Sequence, residues 1–187
     1  MGRPRSFDET TVLDAAVDVF RREGFSRASV SRLERATGLS TSSLYHAFGG
    51  KDALFERAVD HYVATFVTPR LEAFAGPTAT LEDLEQLFLS LLEPPLDDGF
   101  GCLVINSALE LGGDRAVDGV VTGLATVIDH LDDVLARETG DTTDATALAL
   151  LYQGLLVQLR AGLTTQRHRD AVSREFARLR ARREDPR

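Results

Sequence analysis

Apolar residues recur at three- and four-residue intervals through nearly the whole chain, and no stretch alternates apolar with polar long enough to make a useful strand. That pattern confines the fold to helices. Leu13, Ala16, Val17 and Phe20 mark a first helix that Gly24 can close, and Ser6 and Glu9 have the spacing of a capping box ahead of it. Ser29 can cap a second, short helix with Val30, Leu33 and Ala36 inward. Gly38 supplies the positive φ of its exit, and Ser40 can cap a third. Two short helices joined by a glycine turn make a helix-turn-helix. Gly49 and Gly50 break the chain before a longer helix from Lys51 to about Thr68, where Pro69 kinks or ends it. Helical spacing then marks residues 81–92, 101–111, 115–137, 145–163 and 169–183, with Asp144 as a cap for the helix that follows it. The predicted fold is all-α, about nine helices in total. A three-helix helix-turn-helix domain covers residues 1–50, and a larger C-terminal helical bundle covers 51–187.

At 187 residues and 43% hydrophobic, the chain can build a sizeable core. Its longest charge-free run, Ala145 to Leu159, is interrupted by Tyr152, Gln153 and Gln158 and falls short of the roughly 18 apolar residues that span a bilayer. No membrane partner is expected. The N-terminus has basic residues without an apolar stretch behind them, unlike a secretory signal, and matches only the loose Met-Gly-x-x-x-Ser myristoylation pattern. Cys102 is the single cysteine, so no intrachain disulfide can form, in keeping with a cytoplasmic protein.

A formal charge of −8 argues against nucleic acid as a partner unless the charge is unevenly spread, and it is. Residues 1–60 hold nine basic and nine acidic groups, residues 61–159 three and sixteen, and residues 160–187 nine and four. Within the first segment, Arg21, Arg22, Arg27, Arg32, Arg35 and Lys51 face only Glu23 and Glu34 between positions 21 and 51, a modest basic patch on an acidic protein.

The stretch GLSTSSLYHAFGGKDALF, residues 38–55, carries the most specific pattern. On a helical wheel Leu44 and Phe48 form one face, with Thr41 and Ala47 beside them. Ser42 and His46 point away, flanked by Ser43 and Tyr45. Small hydrogen-bonding groups without acidic charge suit a helix that enters a major groove, because carboxylates there would be repelled by phosphate. Lys51, the chain's only lysine, stands in the first turn of the next helix behind two glycines, where backbone amides and an ammonium can hold a phosphate. The same stretch could also be a plain helical hairpin whose serines only cap.

Residues 2–62, and TGLSTSSLYHAFGGKDALF above all, resemble the DNA-binding domain of the tetracycline-repressor (TetR) family. GFGCLVINSALEL, residues 99–111, resembles the ligand domain of one branch of that family. The resemblance implies an all-α homodimeric regulator, usually a repressor, that releases a double-stranded DNA operator when a small-molecule effector enters its C-terminal domain. By position, Ser43, Tyr45 and Lys51 match the family's phosphate and groove contacts, and Leu44, Phe48 and Phe55 match its packing residues. Ser29, Arg32, Ser40, Thr41, Ser42 and His46 complete the candidate DNA-binding set. The family often has His directly before the Phe; here that residue is Ala47, so His46 is a specificity candidate at the neighbouring position. Glu34 departs from the small residue usual in helix 2 and reads as a rim carboxylate paired with Arg35 or another neighbour. Arg3 and Arg5 could reach a minor groove as a terminal arm.

In the C-terminal part Cys102, Ile105, Asn106 and Leu109 share one face of an apolar helix. The Asn106 amide must either find a partner or face a pocket. Tyr152 and Gln153 stand in the same position. Phe66, Phe88 and Leu91 either pack as core or line that pocket without specificity. Cys102 offers the alternative of a thiol-based electrophile or oxidant sensor, although Asp97 and Asp98 oppose the thiolate such chemistry needs. Dimerisation is expected through the last two long helices, and two recognition helices on a two-fold axis call for a near-palindromic operator. Nucleophile-elbow, dinucleotide and Walker motifs are missing, and the histidines at 46, 61, 130 and 168 lack ligand spacing, so neither an enzyme nor a metal or other cofactor is expected. A helical ligand-binding protein without DNA function remains the rival from another class.

Overall fold

The computed structural model describes residues 7–94, 96–112 and 117–184, all helix and connection. The predictions resting on Ser6, on Arg3 and Arg5 and on the myristoylation pattern lie outside the described residues, as do positions 115 and 116 of the helix expected from 115. α1 (Glu9–Glu23) is capped by Asp8, whose carboxylate accepts from the Thr10 amide at 3.1 Å and the Thr11 hydroxyl at 2.7 Å. Glu9 is thus the first helical residue, with Asp8 as its cap. α2 (Val30–Thr37) and α3 (Thr41–Phe48) begin on Ser29 and Ser40, and Gly38 and Gly49 close them in the left-handed region. Only Leu33 of α2 is buried; Ala36, expected inward, lies in the overhanging last turn and is exposed.

α4 (Lys51–Tyr62) does not stop at Pro69. It passes through a π-helical segment, Val63–Val67, into α5 (Thr68–Ala75), and the Thr68 amide reaches back to the Val63 carbonyl. A proline inside an α-helix removes an amide donor and crowds the carbonyl four residues earlier. Widening the preceding turn to the i→i+5 pattern relieves that crowding without ending the rod. α6 (Leu81–Leu89) opens on a reciprocal Thr80–Asp83 capping box and runs into a 3-10 turn, Ser90–Leu92. α7 (Leu103–Leu111), α8 (Asp118–Thr139), α9 (Ala145–Arg160) and α10 (Gln166–Glu184) follow. Because α4 and α5 form one rod, the described residues make nine separate helical bodies.

Asp144 precedes α9 but makes no side-chain cap bond. Its carboxylate is taken by Arg178, at 2.9 Å, and by Arg182 of α10, so it joins two helices instead of starting one. α1 packs on α2 and α4, and α3 closes against α4. The rings of Phe20, Phe25 and Phe55 meet there at centroid distances of 4.9 to 6.4 Å. In the bundle α6 lies on α5 and α10, while α8 lies between α7 and α9. Phe88 sits fully buried between Tyr152 and Phe176.

Candidate nucleic-acid interface and effector pocket

The exposed side of α3 is prepared by its neighbours. Gly38, at φ 72°, turns the chain between α2 and α3, a conformation that costs a residue with a Cβ. The Ser40 hydroxyl accepts the Ser43 amide at 3.2 Å, and Glu34 reaches across the turn to accept the Thr41 amide and, at 2.5 Å, the Thr41 hydroxyl. Glu34 thus lies against the positive end of α3, where a carboxylate is favourable. Thr41, expected beside the buried face, is exposed and held from this side. Leu44 and Phe48 are buried, Ser43 and Ala47 half-buried, and Ser42, Tyr45 and His46 exposed. No carboxylate occurs on α3.

Tyr45 lies against the start of α4: a Cβ at Gly50 would come within 3.3 Å of its ring. No side chain caps α4, so its first amides are open to an outside acceptor. The Lys51 ammonium is 4.4 Å from the centre of the Phe25 ring, a cation–π contact that holds it beside the same helix end. The basic patch is partly occupied internally. Arg32 pairs with Glu23 at 2.6 Å, Arg27 donates to the Glu23 carbonyl at 2.9 Å, and Arg35 to the Ser31 carbonyl at 3.3 Å. Ser29 accepts the Arg32 amide at 3.2 Å and so caps α2.

The end of α1 is fastened to the bundle by groups distant in sequence. The Asn106 amide donates to the carbonyls of Arg21 and Phe100 at 3.2 and 2.8 Å. Arg160 donates to the same two carbonyls at 3.2 and 3.1 Å and to that of Arg22 at 2.9 Å. Arg21 itself grips Asp98 at 2.6 Å and the Gly101 carbonyl at 2.7 Å. Glu110 accepts the amides of Phe25 and Ser26 at 2.8 and 2.7 Å; burial works to raise its pKa, but these bonds hold the carboxyl below its ordinary range. Unpaired carbonyls at the end of α1 are thereby satisfied from α7 and α9.

A narrow cavity, open at its mouth and with free space inside for only a few waters, lies beside this fastening. Of the expected pocket residues, Phe66, Leu91, Cys102, Tyr152 and Gln153 line it. Three do not. Phe88 is core, Leu109 is 71% exposed on the outer face of α7, and Asn106 is turned to α1 as a satisfied amide. Arg21 and Arg70 also line the cavity and were missed from sequence. The signal for Arg70 was its rarity, since it is one of three basic residues between positions 61 and 159. Burial pushes the Cys102 thiol up, the opposite of what a thiolate sensor requires.

The sequence profile of the bacterial regulatory proteins of the tetR family matches residues 12–58, the helices just described. Over nearly the full length, a solved structure of a cysteine-substituted TetR family transcriptional regulator, CifR, complexed with 26-base-pair double-strand operator DNA, matches with a TM-score of 0.76 at 30% identity, covering 94% of this chain and 98% of CifR. The chain belongs to the TetR family of DNA-binding transcriptional regulators. Among curated TetR-like relatives, the transcriptional repressor BdcR of Escherichia coli is 28% identical over 166 residues, 86% of this chain and 83% of its own. The uncharacterized regulator YezE of Bacillus subtilis is 34% identical over 113 residues, 59% of this chain. The chain spans 58% of YezE's own length. In the TetR frame, the profile match ends inside α4, before the π-helical segment, so the fastening and the cavity lie mostly beyond the matched region.

Proposed function

We propose that the protein is a repressor that binds a near-palindromic operator as a homodimer and leaves it when a small molecule enters the bundle cavity. The observation that carries this reading is the outer face of α3, where Ser42, Tyr45 and His46 stand exposed without a carboxylate, next to the uncapped start of α4. In this reading residues 1–50 are the DNA-binding head and 51–187 the ligand and dimer domain, although Leu54 and Phe55 complete the core of the head. α9 and α10 form the dimer contact, and Leu150 and Val157, 63% and 38% exposed on one side of α9 with Gly154 between them, supply an uncovered apolar stripe for it. No helix among the described residues is long and apolar enough to cross a membrane, and the protein is read as acting in the cytoplasm.

Ligand release follows from the fastening of α1. The cavity walls are tight enough that anything larger than a few waters must push them apart, and Arg21 and Gly101 belong both to those walls and to the fastening. A ligand that binds better to the widened cavity shifts the head relative to the bundle by its difference in affinity between the two states. The test is a titration of labelled DNA from beside the gene at two salt concentrations. Preferential binding over random duplex, falling steeply with salt, is expected. No preference over random duplex sinks the regulator reading.

A further inference from the structure

The polar groups of the cavity wall are Arg21, Arg70, Tyr62, Tyr152, Cys102 and Gln153, and no carboxylate is among them. The two arginines differ. Arg21 already has Asp98 as its counter-charge. Arg70 has none: its Nη2 donates to the Leu87 carbonyl at 2.9 Å and to the Ser90 hydroxyl, both neutral, and among the described residues no carboxylate pairs with it. Its Nε is buried with no hydrogen-bond partner. The flat guanidinium is 5.3 Å from the centre of the Phe74 ring. A half-buried cation without a counter-ion is costly, and an orphaned buried donor adds to that cost. Most other arginines in contact with their surroundings here, including Arg178, Arg180, Arg182 and Arg183, hold a carboxylate.

Resting on the effector-pocket reading above, we propose that the effector is a small carboxylic acid with an apolar body, whose carboxylate pairs with the Arg70 guanidinium inside the cavity. A carboxylate supplies the missing charge, and the planar guanidinium suits it once the wall parts far enough for the acid to reach it. The rest of the wall, from Phe66 and Leu91 to Val127 and Leu156, takes an aliphatic or aromatic body. Burial pushes the phenols of Tyr62 and Tyr152 up, which keeps them as neutral donors instead of competing anions. A phosphate would bring a second charge that the wall does not match.

The test is calorimetric titration of the full chain with octanoate and benzoate, each against its uncharged amide, and with inorganic phosphate. Expected is at least tenfold tighter binding of an acid than of its amide, lost in Arg70→Gln and Arg70→Met, retained in Arg70→Lys, and no heat with phosphate. Two Arg70 variants of different size keep the test usable if one fails to fold. Amides that bind as tightly as the acids overturn the proposal and leave the pocket reading standing, as does an acid preference that survives Arg70→Gln. If neither acids, amides nor uncharged naphthalene bind, the pocket reading itself falls. Phosphate binding with loss on Arg70→Gln overturns the carboxylate class.

Discussion

Asn106 and Arg160 serve two carbonyls in common, so removing both should cost more than the two losses added. Asn106→Ala removes two neutral hydrogen bonds, but Arg21 and Phe100 keep Arg160 as donor; the cost is about 1–2 kcal/mol. Arg160→Ala removes three charge-assisted bonds, Asn106 still serves two of the three carbonyls, and that of Arg22 can turn to water; about 2–3 kcal/mol is lost. In the double variant the part-buried carbonyls of Arg21 and Phe100 have lost both donors. Leaving them unsatisfied adds about 1–2 kcal/mol beyond the sum, against the roughly 0.5 kcal/mol within which independent sites add. Urea unfolding of the four proteins at one fixed protein concentration measures this, the concentration being held because the stability of the proposed dimer would depend on it. An additive double variant would refute the idea that the two side chains back each other up at the end of α1.

Phe20→Ala empties the fully buried junction with Phe25 and Phe55 and should destabilise the chain by about 3–5 kcal/mol, read as a lower urea midpoint; a loss under about 1 kcal/mol would contradict that burial. The Glu110 carboxyl, held below its ordinary range, stabilises the fold fully above about pH 4.3, and the benefit fades as pH falls through its folded value. The midpoint gap between wild type and Glu110→Gln should therefore be widest near pH 6 and close in acid, and a gap independent of pH refutes the assignment. At the DNA face, Tyr45→Phe and Lys51→Ala should weaken binding to all sequences alike, whereas His46→Ala should change which sequence is preferred in a binding-site selection. Equal effects of the three on every site would remove His46 as a specificity residue.

What could be read from the sequence was local. Ser29, Ser40 and Gly38 act through partners within one turn, and the buried face of Leu44 and Phe48 follows from helical spacing alone. Glu34 was legible as a paired carboxylate, but its partner Thr41, seven residues on, depended on the angle at which Gly38 sends the chain. Asn106 was legible as an amide that needs a partner; that the partner is α1, 85 residues away, was not. Arg160 reaches across 139 residues. Such pairs form only once helices pack, and helical periodicity carries no information about which end of one helix meets which face of another. Pro69 left two outcomes open, a kink or an end, and the rod does not stop there: the clash is relieved by changing the turn before it.

That relief leaves a mark on phase. A π turn absorbs one residue more than an α turn, so the rod from Lys51 to Ala75 arrives at its far half about 100° behind the face that its near half predicts. Tyr62 and Arg70 look into the same cavity across that slip. Deleting a single residue between Val63 and Val67 would let the rod become regular with Arg70 still on the face of Tyr62, whereas a regular α-helix of the undeleted length would swing Arg70 out of the wall while leaving every residue type in place. A sequence aligned without a gap there would share the chemistry of the cavity on paper and lack it in space.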